Sequence, residues 1–480
     1  MSDIDVLVVG GGISGLAIAT SLVHEGISVE LWESSARPGG KIETHADIHG
    51  YVTERAANMV MNYRPEVNRF MEQSNLAARK SMLAPVNRRY VMHDGKLVAV
   101  PMKLAGMIRS PVWSPAGKLR LLAEPFVRKG GHEDETVSDF INRRVGREVL
   151  EKGIEPYVGA VLASDPDLAN AYAVLPRMTE LEQRFGSLAL GILIHKFLRR
   201  RTGTPQEAFS FSGGMSTLVD SLVNNPGIRF RPNHRAVGLT KHGPHWRAMG
   251  SASGKEISVT TRQVVLSAPA STAAQLLYPL DQDLTHLLRG IRYAPVAVVH
   301  TGFNHSAIKH ALDGTGFLIP RRAGVGTTGC LWMSSLFPEC APQGRVLLTN
   351  YLGGARFPEA AEWDDERSVA EVLNVITPLL RIRNDPEMVR IDRHHRALPL
   401  YHGNYYRRMK MVTDRLQQHP GLHLVANYRG GVSVRDRIAC AHDAAKRIAE
   451  ELATTPREFR TQDSPFRKAE PIPADTDTSG

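Results

Sequence analysis

The sequence lacks long apolar runs. Nowhere in its 480 residues do about 18 uncharged apolar residues follow one another, the length that a membrane-spanning helix needs. The N-terminus also lacks the basic, apolar and small-residue succession of a secretory signal and leads directly into a strand-like segment. We therefore expect no transmembrane helix, and we expect synthesis and folding in the cytosol.

Cysteine is scarce, and no metal-binding pattern accompanies it. The three cysteines, Cys330, Cys340 and Cys440, have no CxxC spacing, so they predict buried or idle thiols in a reducing compartment. His394 and His395 are adjacent, but neighbouring residues of a strand point to opposite faces and no further ligand spacing follows. The sequence predicts no metal site.

Acidic residues are too few to balance the basic ones, and the formal net charge is +10. The basic residues are not interleaved with stacking aromatics, which argues against nucleic acid and favours anionic substrates or anionic lipid head groups. Between positions 85 and 130, nine cations alternate with apolar residues, a mixture that can lie on a membrane surface. A solvated basic face over an ordinary core is the alternative. The nine cations are Arg88, Arg89, Lys96, Lys103, Arg109, Lys118, Arg120, Arg128 and Lys129.

What the sequence does have is a dinucleotide-binding start. Residues 6–9 read as a strand, a glycine turn and a helix follow, and a second strand ends at Glu33. Gly10 permits the tight turn, Gly12 lets the backbone approach a pyrophosphate, and Gly15 lets the helix pack closely on the strand. Ile13 and Ser14 open the helix whose N-terminus faces the phosphates. Glu33, about 20 residues on, is positioned to accept hydrogen bonds from a ribose.

A second glycine turn, Ser-Ser-Ala-Arg-Pro-Gly-Gly-Lys at positions 34–41, follows the acid at once. It resembles the RxGG element of the flavin-dependent amine oxidase and protoporphyrinogen oxidase superfamily. That resemblance implies that Arg37, Gly40 and Lys41 border FAD, and it favours FAD over NAD.

The length exceeds the usual limit of about 250–300 residues for one core, so several lobes are expected. We predict an α/β fold in which a discontinuous Rossmann-like FAD-binding domain carries a β-rich substrate domain and an inserted helical, membrane-associating lobe. The predicted segments are 1–63, 205–290 and 406–454 for the FAD-binding domain, 64–204 for the helical lobe through which substrate enters, 291–405 for the substrate domain, and 455–480 for a disordered tail.

Periodicity supplies individual elements. Residues 136–146 and 177–185 have helical spacing. Strands are predicted at 228–231, 256–259, 264–267, 296–303 and 346–351. Near the C-terminus, residues 423–439 repeat the pattern of strand, glycine turn and helix. The N-terminus of this helix can stabilise negative charge on a reduced flavin.

Several further blocks resemble oxygen-dependent, FAD-containing protoporphyrinogen oxidases over nearly the whole chain to about residue 450. They lie at positions 155–166, 181–188, 293–299, 335–342 and 350–356. The resemblance implies that the backbone of Val237 meets adenine and that Val432, Ser433 and Val434 form the turn at the flavin. It implies that Arg89 pairs with a substrate propionate, a role that suits a bidentate guanidinium.

The chain departs from the family pattern at several turns. Asn58 is retained in the E-x-G-P-N turn, but the Gly-Pro before it is Ala56-Ala57. A Ser-Gly pair of the substrate-facing block is Gly159-Ala160, which places a methyl group at Ala160 beside the substrate. These departures leave FAD binding expected and put the particular porphyrinogen in doubt.

The resemblance implies six-electron oxidation of protoporphyrinogen IX to protoporphyrin IX in heme biosynthesis, with O2 reduced to H2O2. The sequence contains no convincing acid–base pair or nucleophile, which suits chemistry carried by the flavin. Three alternatives stay open: oxidation of coproporphyrinogen III, another amine oxidase or desaturase activity, and a non-catalytic tetrapyrrole carrier. As partners the resemblance admits an anionic face of the cell membrane, a second copy of the chain and a downstream ferrochelatase.

Overall fold

The computed structural model describes residues 4–86, 88–100, 112–199 and 206–454. Lys103, Arg109 and the predicted tail at 455–480 lie outside these ranges. Nineteen strands are present in the described part: β1 (Ile4–Val9), β2 (Val29–Trp32), β3 (Thr44–Ala46), β4 (Val52–Glu54), β5 (Val60–Asn62), β6 (Lys80–Met82), β7 (Arg89–His93), β8 (Lys96–Val100), β9 (Glu207–Phe211), β10 (Ile228–Arg231), β11 (His234–His242), β12 (His245–Ala252), β13 (Lys255–Leu266), β14 (Tyr293–Asn304), β15 (Gly316–Leu318), β16 (Thr327–Trp332), β17 (Arg345–Gly353), β18 (Met388–Pro399) and β19 (Leu422–Leu424).

The described helices connect and cover these strands. They are α1 (Ile13–His24), α2 (Pro65–Gln73), α3 (Pro115–Leu122), α4 (Val137–Val145), α5 (Arg147–Val149), α6 (Glu155–Val161), α7 (Ala171–Val174), α8 (Pro176–Phe185), α9 (Leu188–Arg199), α10 (Ser216–Val223), α11 (Ala270–Leu277), α12 (Gln282–Arg289), α13 (Met333–Leu336), α14 (Asp365–Leu380), α15 (Tyr405–Leu416) and α16 (Val434–Thr454). A π-helical turn, Leu150–Ile154, leads into α6. Short 3₁₀ turns occur at Ala77–Arg79, Glu124–Phe126, His305–Ala307, Arg321–Ala323, Pro338–Cys340 and Pro358–Ala361.

The first sheet has seven strands in the order β10-β2-β1-β13-β12-β11, and β19 pairs with the second half of β13. Its strands come from the chain segments 1–63, 205–290 and 406–454, so the predicted α/β fold with a discontinuous dinucleotide-binding domain is confirmed. Strands β10, β2, β1, β13 and β19 are parallel. Their carboxyl ends therefore meet at one edge, where ligands of open α/β sheets bind.

The two strands predicted at 256–259 and 264–267 are one continuous strand, β13. The polar residues between the two predicted strands have their hydrogen-bonding groups satisfied inside the sheet. Thr261 Oγ1 donates to the Asp5 carbonyl over 3.0 Å, and Arg262 Nη1 lies 3.1 Å from Asp5 Oδ1. Because these groups keep hydrogen-bond partners, burying them costs little and the strand continues.

The second sheet has the order β18-β14-β17-β16-β15-β7-β8. Most of its strands come from the segment 291–405, but the hairpin β7–β8 comes from the segment 64–204 and pairs in parallel with β15. The segment expected to be helical thus also supplies strands: β6 joins a small sheet with β9 and β5. The helices α3 to α9 pack together around Trp113, Phe140 and Ile141.

An ion cluster holds the helical region together. Arg144 on α4 is fully buried, and its guanidinium pairs with the buried carboxylate of Glu124. Glu124 also accepts hydrogen bonds from the backbone N–H groups of Leu188 and Ala189 over 2.8 and 3.0 Å, which caps α9. The cluster therefore joins the turn at 124–126 to α4 and α9.

We expect Arg144→Met to destabilise the helical region by about 3–5 kcal/mol, because it leaves the Glu124 carboxylate buried without its guanidinium. Arg147→Met is the matched control. It removes an exposed ion pair with Glu151 one helical turn away, which is worth only about 0.3–0.5 kcal/mol. Amide hydrogen exchange in α4 and α9 measures the opening free energy of this region. Equal exchange in the two variants would contradict the structural role assigned to Arg144.

Candidate functional site

The first glycine turn joins β1 to α1 at the carboxyl edge of the first sheet. Gly10 has φ +107°, a conformation that strains any residue with a Cβ. A Cβ at Gly15 would lie 1.8 Å from the Gly10 carbonyl oxygen. The first turn of α1 therefore approaches the end of β1 as closely as backbone atoms allow, and glycine is required at both positions.

Gly12 differs from these two, because nothing in the fold requires it to be glycine. Its φ of −73° is ordinary, and a Cβ there would meet no atom within 4 Å. The residue caps α1, whose first turn contains Ile13 and Ser14 and carries no acidic side chain. The N–H groups at this helix end suit a phosphate, and the open space over Gly12 lets the phosphate approach the backbone.

Glu33 follows β2 and is held by the backbone around it. Its Oε2 accepts the Gly11 N–H over 2.7 Å, and its Oε1 accepts the Ser35 N–H over 2.8 Å. Strand β11 begins beside it, since the His234 N–H donates to the Glu33 carbonyl over 2.8 Å. Val237 lies at the irregularity of β11 with 60% of its surface exposed. The predicted ribose and adenine contacts thus lie along one continuous edge.

The second glycine turn packs directly on the first. The Gly39 N–H donates to the Gly11 carbonyl over 2.7 Å, and a Cβ at Gly40 would lie 3.2 Å from Gly12 Cα. Arg37 braces this turn from within: its Nη1 donates to the carbonyls of Pro38 and Ile42 over 2.9 and 2.8 Å. Arg37 therefore fixes the shape of the turn that is predicted to border FAD.

Lys41 connects this turn to the second sheet. Its Nζ donates to the Ala397 carbonyl of β18 over 2.8 Å and lies 5.9 Å from the centre of the Tyr293 ring. Burial lowers the pKa of the Lys41 ammonium to about 8. An anionic group of a bound cofactor would favour the charged form again.

The C-terminal turn brings a second helix N-terminus to the same edge. Ser433 Oγ accepts the Asp436 N–H over 3.2 Å and donates to the Asp436 carboxylate over 2.6 Å, a capping arrangement at the start of α16. Val432 and Val434 flank this serine and pack into the two cores on either side of the first sheet. Helix α16 lies against α1, and β19, the strand before this turn, runs parallel to β13 and ends at the same edge.

Ser267, at the end of β13, adds an unsatisfied polar group. Its Oγ is buried and has no hydrogen-bond partner among the described residues, and its Cβ lies 3.4 Å from the position of a Cβ on Gly15. An orphaned hydroxyl beside the glycine turn fits a site completed by a dinucleotide. The residues present therefore fit FAD: the glycine turns and α1 would hold its pyrophosphate, Glu33 a ribose, and the turn at Val432–Val434 the flavin.

Asn58 and Ala160 line a common wall at the second sheet. Asn58 Nδ2 donates to the Tyr351 hydroxyl over 2.6 Å, while its Oδ1 is buried without a partner among the described residues. Tyr351 on β17 is opposite Gly329 on β16. Ala160 Cβ lies 3.5 Å from the position of a Cβ on Gly329. Burial raises the pKa of the Tyr351 hydroxyl far above its usual value, so this group stays protonated.

Arg89 begins β7 at the same end of the molecule. Burial raises the pKa of the Tyr157 hydroxyl on α6, and the nearby positive charges of Arg89 and Arg435 oppose that rise. Within the described ranges, Arg89 has no carboxylate within ion-pair distance. The three predicted substrate residues therefore border one region, with α6 between Arg89 and the wall formed at Ala160.

Several residues of this region were not predicted from the sequence. Arg356 and Glu155 form a buried ion pair beside Gly159, where a Cβ would lie 2.9 Å from the Arg356 guanidinium. Burial lowers the pKa of Arg356 to about 10. Tyr351 and Arg356 lie in the block at 350–356 and Glu155 opens the block at 155–166, so the resemblance offered a signal. Arg435 had none.

The adjacent histidines have separate partners. His394 Nε2 lies 2.8 Å from the Arg55 carbonyl, whereas His395 Nδ1 lies 2.8 Å from Glu362. Residues 4–86, 88–100, 112–199 and 206–454 contain no cluster of three or more His, Cys, Asp or Glu side chains suited to a metal.

Gly12→Ala and Gly15→Ala separate ligand approach from helix packing. We expect Gly12→Ala to change the stability of the apoprotein by less than about 1 kcal/mol but to weaken FAD binding by about 1–3 kcal/mol, roughly 5- to 150-fold. Gly15→Ala should destabilise the apoprotein itself by about 1–3 kcal/mol, because its Cβ meets backbone. Denaturant unfolding of apoprotein and titration with FAD measure both quantities. Unchanged FAD affinity in Gly12→Ala would refute the proposed approach of the pyrophosphate.

Comparisons with known proteins agree with this geometry. A family model described as flavin containing amine oxidoreductase matches residues 13–449. Protoporphyrinogen oxidase 2 of Arabidopsis thaliana is 28% identical, with 96% of each chain covered. A chloroplastic protoporphyrinogen oxidase of Oryza sativa subsp. japonica is 30% identical, over 93% of this chain and 88% of the relative. The coproporphyrinogen III oxidase of Bacillus subtilis is 27% identical, over 90% and 95%.

Solved structures share the fold. A putative protoporphyrinogen oxidase from Exiguobacterium sp. 255-15 superposes with a TM-score of 0.76 at 22% identity, covering 94% of this chain and 100% of that one. A putrescine oxidase superposes with a TM-score of 0.66 at 14% identity, covering 93% and 99%. The chain therefore belongs to the flavin-containing amine oxidoreductase family, and it is an oxidoreductase whose cofactor is FAD.

Proposed function

We propose that this protein oxidises a porphyrinogen to the corresponding porphyrin, with O2 as the electron acceptor. The observation that carries the proposal is Arg89, a guanidinium without a carboxylate partner in the described part of the chain, which acts on the same Tyr157 hydroxyl as Arg435, the residue directly after the turn at Val432–Val434. Relatives named protoporphyrinogen oxidase and coproporphyrinogen III oxidase, similar over nearly the whole chain, support it.

The reaction removes six electrons and six protons from the porphyrinogen. Three two-electron oxidations accomplish this, and three O2 molecules become three H2O2. FAD, when bound, supplies the two-electron redox chemistry. The chain's own residues bind and orient the substrate. Arg89 binds a propionate through two parallel hydrogen bonds, and the wall formed by Asn58 and Tyr351 keeps water from one side of the macrocycle.

Protoporphyrinogen IX is the first candidate substrate, and coproporphyrinogen III is the second. Coproporphyrinogen III has four propionates and protoporphyrinogen IX has two, so additional cations in the site would favour binding of coproporphyrinogen III. The charge of Arg435 acts on the same Tyr157 hydroxyl as that of Arg89, and this second cation is a reason to retain coproporphyrinogen III as a candidate substrate. The following experiment separates these candidates from three other functions: oxidation of an amine, action as a desaturase, and porphyrin carriage without turnover.

We expect anaerobic protoporphyrinogen IX to bleach the flavin absorption of the purified holoprotein, and admission of air to restore it with porphyrin fluorescence and H2O2. Coproporphyrinogen III is tested in parallel, and faster bleaching by it would move the assignment to that substrate. A flavin left oxidised by both porphyrinogens would refute the proposal. In that case retention of porphyrin by the protein would indicate a carrier, and bleaching by an amine would indicate an amine oxidase.

We also propose that the protein works in the cytoplasm, attached peripherally to the inner face of the cell membrane. None of the described helices is long and apolar enough to span a bilayer.

An exposed apolar patch lies on α3, the turn after it and the neighbouring helix α9. It consists of Leu119, Leu122, Phe126, Leu190 and Leu193. Exposed cations at Arg128 and Lys129 border them. Apolar side chains ringed by cations suit an anionic lipid surface. Arg120 donates to backbone carbonyls of α4, so its guanidinium stabilises the fold and is not one of the cations that would bind lipid.

Phe126→Asp should reduce sedimentation of the protein with vesicles of anionic lipid, because it places a charge where the most exposed aromatic ring would enter the head groups. Ile48→Asp, an equally exposed apolar residue near β3, is the matched control and should bind as the wild type does. Low ionic strength keeps the electrostatic contribution measurable. Absence of wild-type binding at low salt, or equal loss in both variants, would refute the membrane proposal.

A further inference from the structure

Two guanidinium groups stack on the ring of Tyr63. This residue follows β5, and its ring centroid lies 4.0 Å from Arg177 Cζ and 4.3 Å from Arg435 Cζ. Stacking of this kind is favourable and fixes the plane of each guanidinium. The arrangement joins three distant parts of the chain: the end of β5, helix α8 and the start of α16.

Arg435 is the second residue of α16 and directly follows the turn at Val432–Val434. Its Nε and Nη2 donate to the Asp436 carboxylate over 3.1 and 3.2 Å, and its Nη1 donates to the Met61 carbonyl over 2.8 Å. A guanidinium has five N–H donors. Two N–H groups of Arg435 therefore have no hydrogen-bond partner among the described residues, although the side chain is only 15% exposed.

Arg89 and Arg435 both act on one group of α6. Burial raises the pKa of the Tyr157 hydroxyl, the positive charges of Arg89 and Arg435 oppose that rise, and Asp436 adds to it. Charges in a partly enclosed place are screened weakly. An anionic ligand with two carboxylates, bound beside Tyr157, can therefore reach both guanidinium groups.

We propose that Arg435, oriented by Tyr63, is a second carboxylate-binding residue of the site, which takes one propionate of the macrocycle while Arg89 takes another. This inference rests on the proposed function, because it presumes a substrate with two or more propionates. It makes Arg435 a residue for recognition and affinity, with no part in the redox step. The alternative role is purely structural: Arg435 would only tie α16 to β5 through Asp436 and the Met61 carbonyl.

Esterified substrate distinguishes the two roles. A methyl ester keeps the shape of the propionate and removes its charge, so only a carboxylate-binding residue discriminates acid from ester. We expect Arg435→Met to raise the Kd of the porphyrinogen acid about tenfold, as for the loss of one charged hydrogen-bonded pair, and to leave the Kd of the methyl ester and the limiting rate of flavin reduction unchanged. Arg435→Lys keeps the charge without the planar fork and should fall between the wild type and Arg435→Met.

The measurement is anaerobic flavin reduction by the holoprotein with protoporphyrinogen IX, coproporphyrinogen III and their methyl esters. Arg367→Met is the matched control, because Arg367 on α14 also stacks on an aromatic ring, 4.1 Å from the centre of Trp363, at an exposed place outside the site. The control should preserve the wild-type preference for acid over ester. FAD content and the melting temperature of each variant show that it is folded.

Equal changes for acid and ester in Arg435→Met, or no change for either, would overturn the inference and leave Arg435 a structural residue. If Arg435→Met fails to fold, Arg435→Lys decides by the same ratio of the affinity for acid to that for ester. A wild-type ratio in that folded variant would contradict bidentate binding of a carboxylate by Arg435. If the wild-type flavin is reduced by none of the four compounds, the proposed function itself fails, and that result is distinct from a wild type that is active but insensitive at Arg435.

Discussion

The contact between the two glycine turns is the constraint on which the rest of this structure depends. Gly39 donates its N–H to the Gly11 carbonyl, and Gly40 lies against Gly12. A side chain at Gly39 or Gly40 would push the second turn away from the first, so this edge depends on bare backbone in the second turn. Helix α10 secures the second turn from outside, since a Cβ at Gly39 would lie 2.9 Å from the Val219 side chain.

The position of the second sheet is fixed relative to this edge by a few polar contacts. Lys41 reaches from the second glycine turn to β18. The carbonyl of Arg55, beside β4, binds His394 on β18, and its guanidinium lies 3.7 Å from Asp392 on the same strand. Burial lowers the pKa of His394, which keeps its ring neutral at physiological pH. Since hydrogen bonds in a partly buried interface are directional, these contacts fix how the second sheet is placed against the glycine turns.

The sequence predicted FAD and the dinucleotide-binding fold correctly, whereas the roles of the individual site residues stay predictions. The glycine turns, Glu33 and the α16 turn are local patterns, in which backbone geometry dictates residue type within a few positions. Arg89, Asn58 and Ala160 were assigned through resemblance, because nothing local marks a substrate wall. Tyr63 and Arg435 were not found at all: their contact joins residues far apart in the chain, and neither periodicity nor spacing encodes a cation resting on a ring. The continuity of β13 was missed for a similar reason, since the partners of Thr261 and Arg262 lie on β1.

The departure from the family pattern at Gly159-Ala160 has a physical explanation in the packing around α6. A Cβ built on Gly329 would lie 3.5 Å from the Ala160 methyl group, so this methyl group lies opposite a residue without a side chain. One residue earlier the situation is reversed, because a Cβ at Gly159 would meet the Arg356 guanidinium that pairs with Glu155. Breaking that buried pair would leave an unpaired charge. Position 159 in this turn of α6 therefore requires glycine, whereas position 160 accepts a methyl group because Gly329 across from it has no side chain. The space beside Ala160 depends on Gly329, so β16 and α6 shape this part of the molecule together.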